Sequence, residues 1–201
     1  MRSLGALVFD GFETLDLFGP LEMFGSLPDE FIITIVGERE GMVSSSHGQR
    51  IAIDQTLNEG TDFDLILVPG GAGTPIETVN PMINAWLRQM AARPCIIMSV
   101  CTGSVLLARA GLLDGRCATT NKMNFQWALP FGPNVKWVPK ARWVEDGDFF
   151  TSSGVSAGMD MSLAVIEKLL GLSAVNKVTA IAEYEWHSNS EWDPFAAHYG
   201  V

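Results

Sequence analysis

The sequence predicts an α/β fold built on a mostly parallel central sheet covered on both faces, and three observations predict it. Short apolar runs recur at 3–9 (SLGALVF), 31–37 (FIITIVG), 64–71 (DLILVPGG) and 95–100 (CIIMSV), and strands without a polar face belong to sheets buried on both sides. Segments with helical spacing lie between and after them, at 15–24, 75–92 and 102–113. Strand–helix alternation supplies the crossovers that parallel pairing requires. Two of the strands stop at Asp10-Gly11 and at Pro69-Gly70-Gly71, residues that end regular structure.

Taken in order, the chain opens as strand, loop and helix, the helix reading LDLFGPLEMF. The β-branched run at 31–37 is a second buried strand. The polar stretch 42–54 suggests a small hairpin turning near His47-Gly48. After the 64–71 strand, Ile76, Val79, Ile83, Trp86 and Leu87 recur at helical intervals, with Pro81 marking a boundary. Residues 123–132 form a short helix, and 142–153 two strands joined across Asp146-Gly147. Helices are expected at 158–171 and 173–186. The aromatic tail 187–201 lacks periodicity and reads as an ordered surface arm or a partly disordered one. No linker or repeat interrupts the chain, so residues 1–201 are expected to form one domain.

A net charge of −10 and a pI near 4.6 oppose binding to a phosphate backbone, and no basic run offsets them. No apolar stretch approaches the roughly 20 residues of a membrane span, and the N-terminus lacks a cleavable signal pattern. A cytoplasmic protein that contacts neither nucleic acid nor membrane is expected. Cys95, Cys101 and Cys117 have neither CxxC spacing nor a neighbouring His pair, which argues for free thiols and against a metal site. Neither metal nor cofactor is expected.

The candidate for chemistry is Cys101. It stands between an apolar strand and the helix that the strand feeds, where the turn is sharp and the next backbone N–H groups are unpaired. Those amides and the helix dipole favour a thiolate over a thiol. A small buried hydrophobe is the alternative reading of any cysteine, and for Cys95 and Cys117, which lack the elbow, it is the better one. The Gly-rich loop 68–74 ends the neighbouring strand, so the N–H groups of Gly71 and Thr102 could form an oxyanion hole. No histidine sits in a convincing active-site loop: His47 looks like a hairpin tip, and His187 and His198 lie in the tail. Asp16, at the start of the first helix, faces the same sheet edge, either as a partner of Cys101 or as a helix cap.

The segment SVCTGSVLLARAGLLDGRCATTN, preceded by VPGG and LDLFGPLEMF and followed by SSGVSAGMDMSLAVIEKLLG, resembles the ThiJ/PfpI superfamily, a class I glutamine amidotransferase-like group. Within it, the chain is most similar to isonitrile hydratases and to the amidotransferase-like domains of AraC-type regulators, although no helix-turn-helix segment follows here. The resemblance implies a flavodoxin-like three-layer sandwich, a homodimer, Cys101 as elbow nucleophile with Asp16 hydrogen-bonded to it, and anion-stabilising amides at Gly71 and Thr102. It also implies that the 154–158 loop, with Val155, lines the substrate pocket. One position departs from the pattern, because Asn121 stands where many members carry histidine. An amide orients a substrate but takes no proton at neutral pH.

The leading expectation is a cysteine-dependent hydratase or hydrolase that acts on a small electrophilic carbon, converting an isonitrile to an N-substituted formamide. A raised Asp16 pKa is expected beside a thiolate. A glyoxalase or deglycase-like enzyme using the same nucleophile is the second reading, and a redox or stress-sensing dimer is the non-enzymatic one.

Overall fold

The computed structural model describes residues 1–60 and 62–201. In chain order the elements are β1 (Arg2–Leu7), α1 (Thr14–Gly25), β2 (Phe31–Gly37), β3 (Met42–Ser44), β4 (Arg50–Ala52), β5 (Gln55–Thr56), β6 (Leu65–Val68), α2 (Thr74–Glu77), α3 (Pro81–Ala91) and β7 (Ile96–Ser99). There follow α4 (Gly103–Arg109), β8 (Cys117–Ala118), α5 (Phe125–Ala128), β9 (Lys136–Trp137), β10 (Trp143–Asp146), β11 (Phe149–Ser152), α6 (Ala157–Leu170), α7 (Leu172–Ala182) and α8 (Pro194–Tyr199).

Seven strands form the central sheet in the order β10-β11-β7-β6-β1-β2-β5, and every pair is parallel except β10 with β11. Helices α1, α6 and α7 pack together on one face, and α2, α3 and α4 on the other. The strand order β2-β1-β6-β7-β11 is the flavodoxin-like 2-1-3-4-5 winding. Every residue of β6 is buried, and Ile97, Met98 and Ser99 of β7 are too, which is why these strands carry no polar alternation. The loops after β1, β6, β7 and β11 all open at the carboxyl edge, where ligands of such sheets bind.

Both hairpins turn where the sequence indicates, with Gly48 and Gly147 at positive φ. Several boundaries differ from expectation for local reasons. The 75–92 segment breaks in two because the Asn80 side chain accepts from Met82 N and Ile83 N, restarting the helix at Pro81. The helix after Cys101 stops at Arg109 rather than 113, followed by Gly111 in the left-handed region. The helix expected to reach 186 ends at Ala182, with Glu183 left-handed at φ 47°.

The tail is ordered and contains α8, capped by Asp193 with Pro194 in its first turn. It is tied down by Asp160, a wholly buried carboxylate in the first turn of α6. Asp160 accepts from Arg142 Nε at 2.6 Å, Tyr184 Oη at 2.9 Å and His187 N at 3.0 Å. Arg142 N–H in turn donates to Ser190 O, and Asp193 N–H to Lys140 O. The Arg142→Met variant leaves Asp160 buried without its counter-charge, a loss of about 3–5 kcal/mol. Urea unfolding should register that loss, and hydrogen exchange at the Asp193 amide should accelerate as the arm loosens.

Candidate active site

Four consecutive loops at the carboxyl edge deliver the site. Cys101 follows β7 in the left-handed region at φ 56°, a conformation that a residue with a β-carbon holds only under constraint. Its N–H donates to Ser153 O at 3.0 Å, and its carbonyl accepts from Ser104 Oγ at 3.1 Å and Thr120 Oγ1 at 3.0 Å. Gly103 is required behind it, because a β-carbon there would run into the Val68 carbonyl oxygen. The thiol is 6% exposed and lies on the wall of a cavity of about 420 Å³.

Asp16 is not the cap of α1. That position belongs to Glu13, and Asp16 lies within the first turn, wholly buried. Its Oδ2 accepts from Gly70 N–H at 2.9 Å, while Oδ1 has no hydrogen-bond partner of good geometry. The Cys101 thiol and the Val155 N–H are close enough to stabilise its charged form. Val155 is itself left-handed, at φ 50°, a genuine outlier for a β-branched residue. The buried carboxyl thus meets two strained residues, and Asp16 and Cys101 are neighbours without a hydrogen bond of good geometry between them.

Burial pushes the Asp16 carboxyl up to about 7 from its ordinary 3.8; the Gly70 N–H opposes the rise and the charge of Glu13 adds to it. Burial, and next the Asp16 charge, raise the Cys101 thiol well above its ordinary value, against the pull of the Thr102 N–H and hydroxyl. The raised carboxyl agrees with the sequence reading in direction but not in cause, because burial raises it and the Cys101 thiol pulls it down. The thiolate favoured by the elbow alone does not, because desolvation and a neighbouring negative charge outweigh two local donors. Charge on one member opposes ionisation of the other, so the pair gives up one proton far more readily than two.

The oxyanion hole also differs from its expected form. Gly71 N–H donates to Thr102 Oγ1 at 3.1 Å, and that hydroxyl is 2.9 Å from Thr74 Oγ1. The Thr102 N–H acts on the sulfur. A hydroxyl is therefore interposed between the two amides, a role visible only once the loops are together. Asn121 lies on the same cavity, 9% exposed. Its Oδ1 accepts from Asn124 N–H at 3.0 Å, which fixes the amide orientation and leaves Nδ2 as the donor without a protein partner among the described residues.

The sequence missed Glu13, Met123 and Trp127 on this cavity. The signal for Glu13 was weak, since a glutamate between strand and helix passes for an ordinary first-turn acid. His47 is a hairpin-tip residue as expected, yet the hairpin folds over the start of α1 and brings Nδ1 within 2.9 Å of Thr14 Oγ1. Cys95 is pushed up to about 12 by burial, and all three cysteines are free. Among the described residues no cluster of three or more His, Cys, Asp or Glu could hold a metal ion, and no helix is long and apolar enough to cross a membrane.

Residues 3–168 match the model of the DJ-1/PfpI family. Isonitrile hydratase of Pseudomonas putida is 36% identical over 183 residues, covering 90% of this chain and 78% of that protein. Deglycase TK1284 of Thermococcus kodakarensis is 29% identical over 113 residues, 55% of this chain and 67% of that protein. A crystal structure of a ThiJ/PfpI family protein from Pseudomonas syringae superposes with a TM-score of 0.85 at 32% identity, covering 92% of this chain and 75% of that one. Sequence, strand order and elbow agree: this chain belongs to the DJ-1/PfpI family.

Proposed function

We propose that the protein is a cysteine-dependent hydratase that adds water to an isonitrile and releases an N-substituted formamide. The observation that carries this reading is the wholly buried Asp16 carboxyl against the Cys101 thiol on a largely apolar cavity. Such a pair holds one mobile proton where a carbon electrophile would meet sulfur. The similarity to isonitrile hydratase supports the choice of electrophile.

In the first half, sulfur bonds the terminal carbon of R–N≡C, and the proton shared by Cys101 and Asp16 passes to that carbon. The product is the thioimidate R–N=CH–S–Cys101. In the second half, water bonds the same carbon, the C=N π pair takes a proton at nitrogen, and the C–S bond breaks. Sulfur recovers its proton through Asp16, and R–NH–CHO leaves. The Thr102 N–H and hydroxyl stabilise charge on sulfur, and Asn121 Nδ2 offers a donor to the substrate nitrogen. Ala72, Pro75, Met123, Trp127 and Val155 supply the apolar wall for R.

The same thiol could add to an aldehyde, and similarity to the deglycase favours testing this second reading. Peroxide sensing is less well supported, because burial keeps the thiolate fraction of Cys101 small.

Purified protein should convert an aryl isonitrile to its formamide, followed by chromatography, faster than it consumes methylglyoxal. Turnover retained in Cys101→Ala would refute the assignment. The rate should rise as pH increases through about 7, where the pair sheds its first proton. Asp16→Asn should lose that inflection and about 100-fold or more in kcat/KM. The same substitution should stabilise the fold. A carboxyl that keeps its proton up to about 7 when folded, but only to 3.8 when unfolded, costs nothing below pH 3.8. Its cost then grows to about 4 kcal/mol as pH passes the folded value. The urea midpoint of Asp16→Asn should therefore exceed that of the parent, by a margin that widens between pH 5 and pH 8.

A further inference from the structure

A second carboxylate faces the cavity and has no part in the steps above. Glu13 occupies the cap position of α1, but its side chain makes no capping bond. Glutamate is not among the residues favoured there. The side chain instead lines the cavity beside Cys101, 21% exposed, with Oε1 3.5 Å from His47 Nδ1 on the overlying hairpin. Its charge is felt by both Asp16 and Cys101. The polar group at this position therefore belongs to the cavity more than to the helix.

We propose that Glu13 is the proton acceptor for the attacking water in the hydrolytic half of the reaction, an inference that rests on the hydratase reading above. Asp16 is poorly placed for this task. It is wholly enclosed, one oxygen is held by Gly70 N–H, and its other neighbours are the Cys101 thiol and the Val155 N–H. Water arrives from solvent, where Glu13 is partly exposed and Asp16 is not. The nitrogen of the thioimidate lies one bond beyond the carbon attached to sulfur, so two protonation sites need not share one acid. As water oxygen bonds that carbon, Glu13 takes a water proton; the C=N π pair moves onto nitrogen, and Glu13 delivers the proton there. The hydroxyl proton then passes through Asp16 to sulfur as the C–S bond breaks, which restores both carboxyl groups and the thiol. Glu13 thereby supplies the base that Asn121 cannot be, and His47 packs against its outer side.

The division of labour separates two rates. With an aryl isonitrile, Glu13→Gln should form the Cys101 adduct as fast as the parent protein. Intact-mass spectrometry should then show that adduct persisting, while steady-state formamide production falls about 100-fold or more. Glu13→Asp, which retains a carboxylate and a good cap, should hydrolyse the adduct faster than Glu13→Gln. Unchanged formamide production in Glu13→Gln would overturn the proposal, as would adduct formation slowed in step with hydrolysis. A parent protein that forms neither adduct nor formamide would overturn the hydratase reading itself, and this inference with it; turnover by the parent with an unaffected Glu13→Gln overturns this inference alone.

Discussion

The arrangement depends on a carboxyl that cannot be solvated. Asp16 sits in the first turn of α1 with no exposed surface, and its one well-formed hydrogen bond comes from the backbone of the loop after β6. An isolated buried carboxylate is expensive enough that most such groups hold their proton instead. Here the proton has a second place to reside, because the loop after β7 presents a thiol to the same carboxyl. With one proton the pair rests as thiol and carboxylate, since the thiol is raised further than the carboxyl, and in the proposed reaction the bond to sulfur releases that proton. Chemistry and destabilisation have one origin: the burial that makes the proton mobile also opposes folding at alkaline pH.

Backbone strain marks the same place. Of the three described non-glycine residues with positive φ, Cys101 and Val155 flank Asp16. Each such conformation costs on the order of 1–3 kcal/mol. Neither is local in cause. Cys101 is held by Ser153, Ser104 and Thr120, which lie on three different segments. Val155 is followed directly by α6, whose first turn carries Asp160 and through it Arg142 and the C-terminal arm. Rigid elements beneath the loops thus over-determine the two strained residues, and a site on loops gains precision from the sheet that carries it.

Much of this was legible in the sequence. Apolar strands and alternating helices specify a parallel sheet whatever the boundaries, and an elbow cysteine is marked by the change from strand to helix at Cys101. Asp16 was visible as a polar residue in an otherwise apolar helix start, though the choice between cap and partner needed the Gly70 loop to be placed. Val155 could not be found from propensity, because a β-branched residue argues against the conformation it adopts. The interposed Thr102 hydroxyl, the closeness of Glu13 and the position of His47 depend on contacts 31 to 88 residues apart in sequence, between loops whose ends meet only after the sheet assembles. The α8 cap was readable, since Asp193-Pro194 is a start signal that a search for periodicity overlooks.

The charge of the cavity narrows the substrate further. Among the described residues that line it, Glu13 is the one side chain that ordinarily carries a formal charge, and no Lys, Arg or His is present. A carboxylate-bearing substrate, such as a free amino acid or its derivative, would enter against Glu13 and against the Asp16–Cys101 pair, with no cation to receive it. Strong discrimination normally comes from buried polar groups matched to the ligand; the Thr102 hydroxyl and N–H serve the sulfur, and the lining adds Asn121 Nδ2 as a donor and the Asn124 amide, whose Nδ2 is held by Asn121 Oδ1, as an acceptor. They suit a neutral molecule whose electrophilic carbon adjoins a basic nitrogen or a carbonyl oxygen and whose remainder is apolar. A neutral isonitrile with an apolar substituent fits once sulfur has added, because the thioimidate carbon then adjoins a basic nitrogen. A small dicarbonyl meets the first two of these conditions but leaves the wall of Met123 and Trp127 without a partner, so the apolar volume beyond the thiol weighs toward a substrate with a hydrocarbon or aryl substituent.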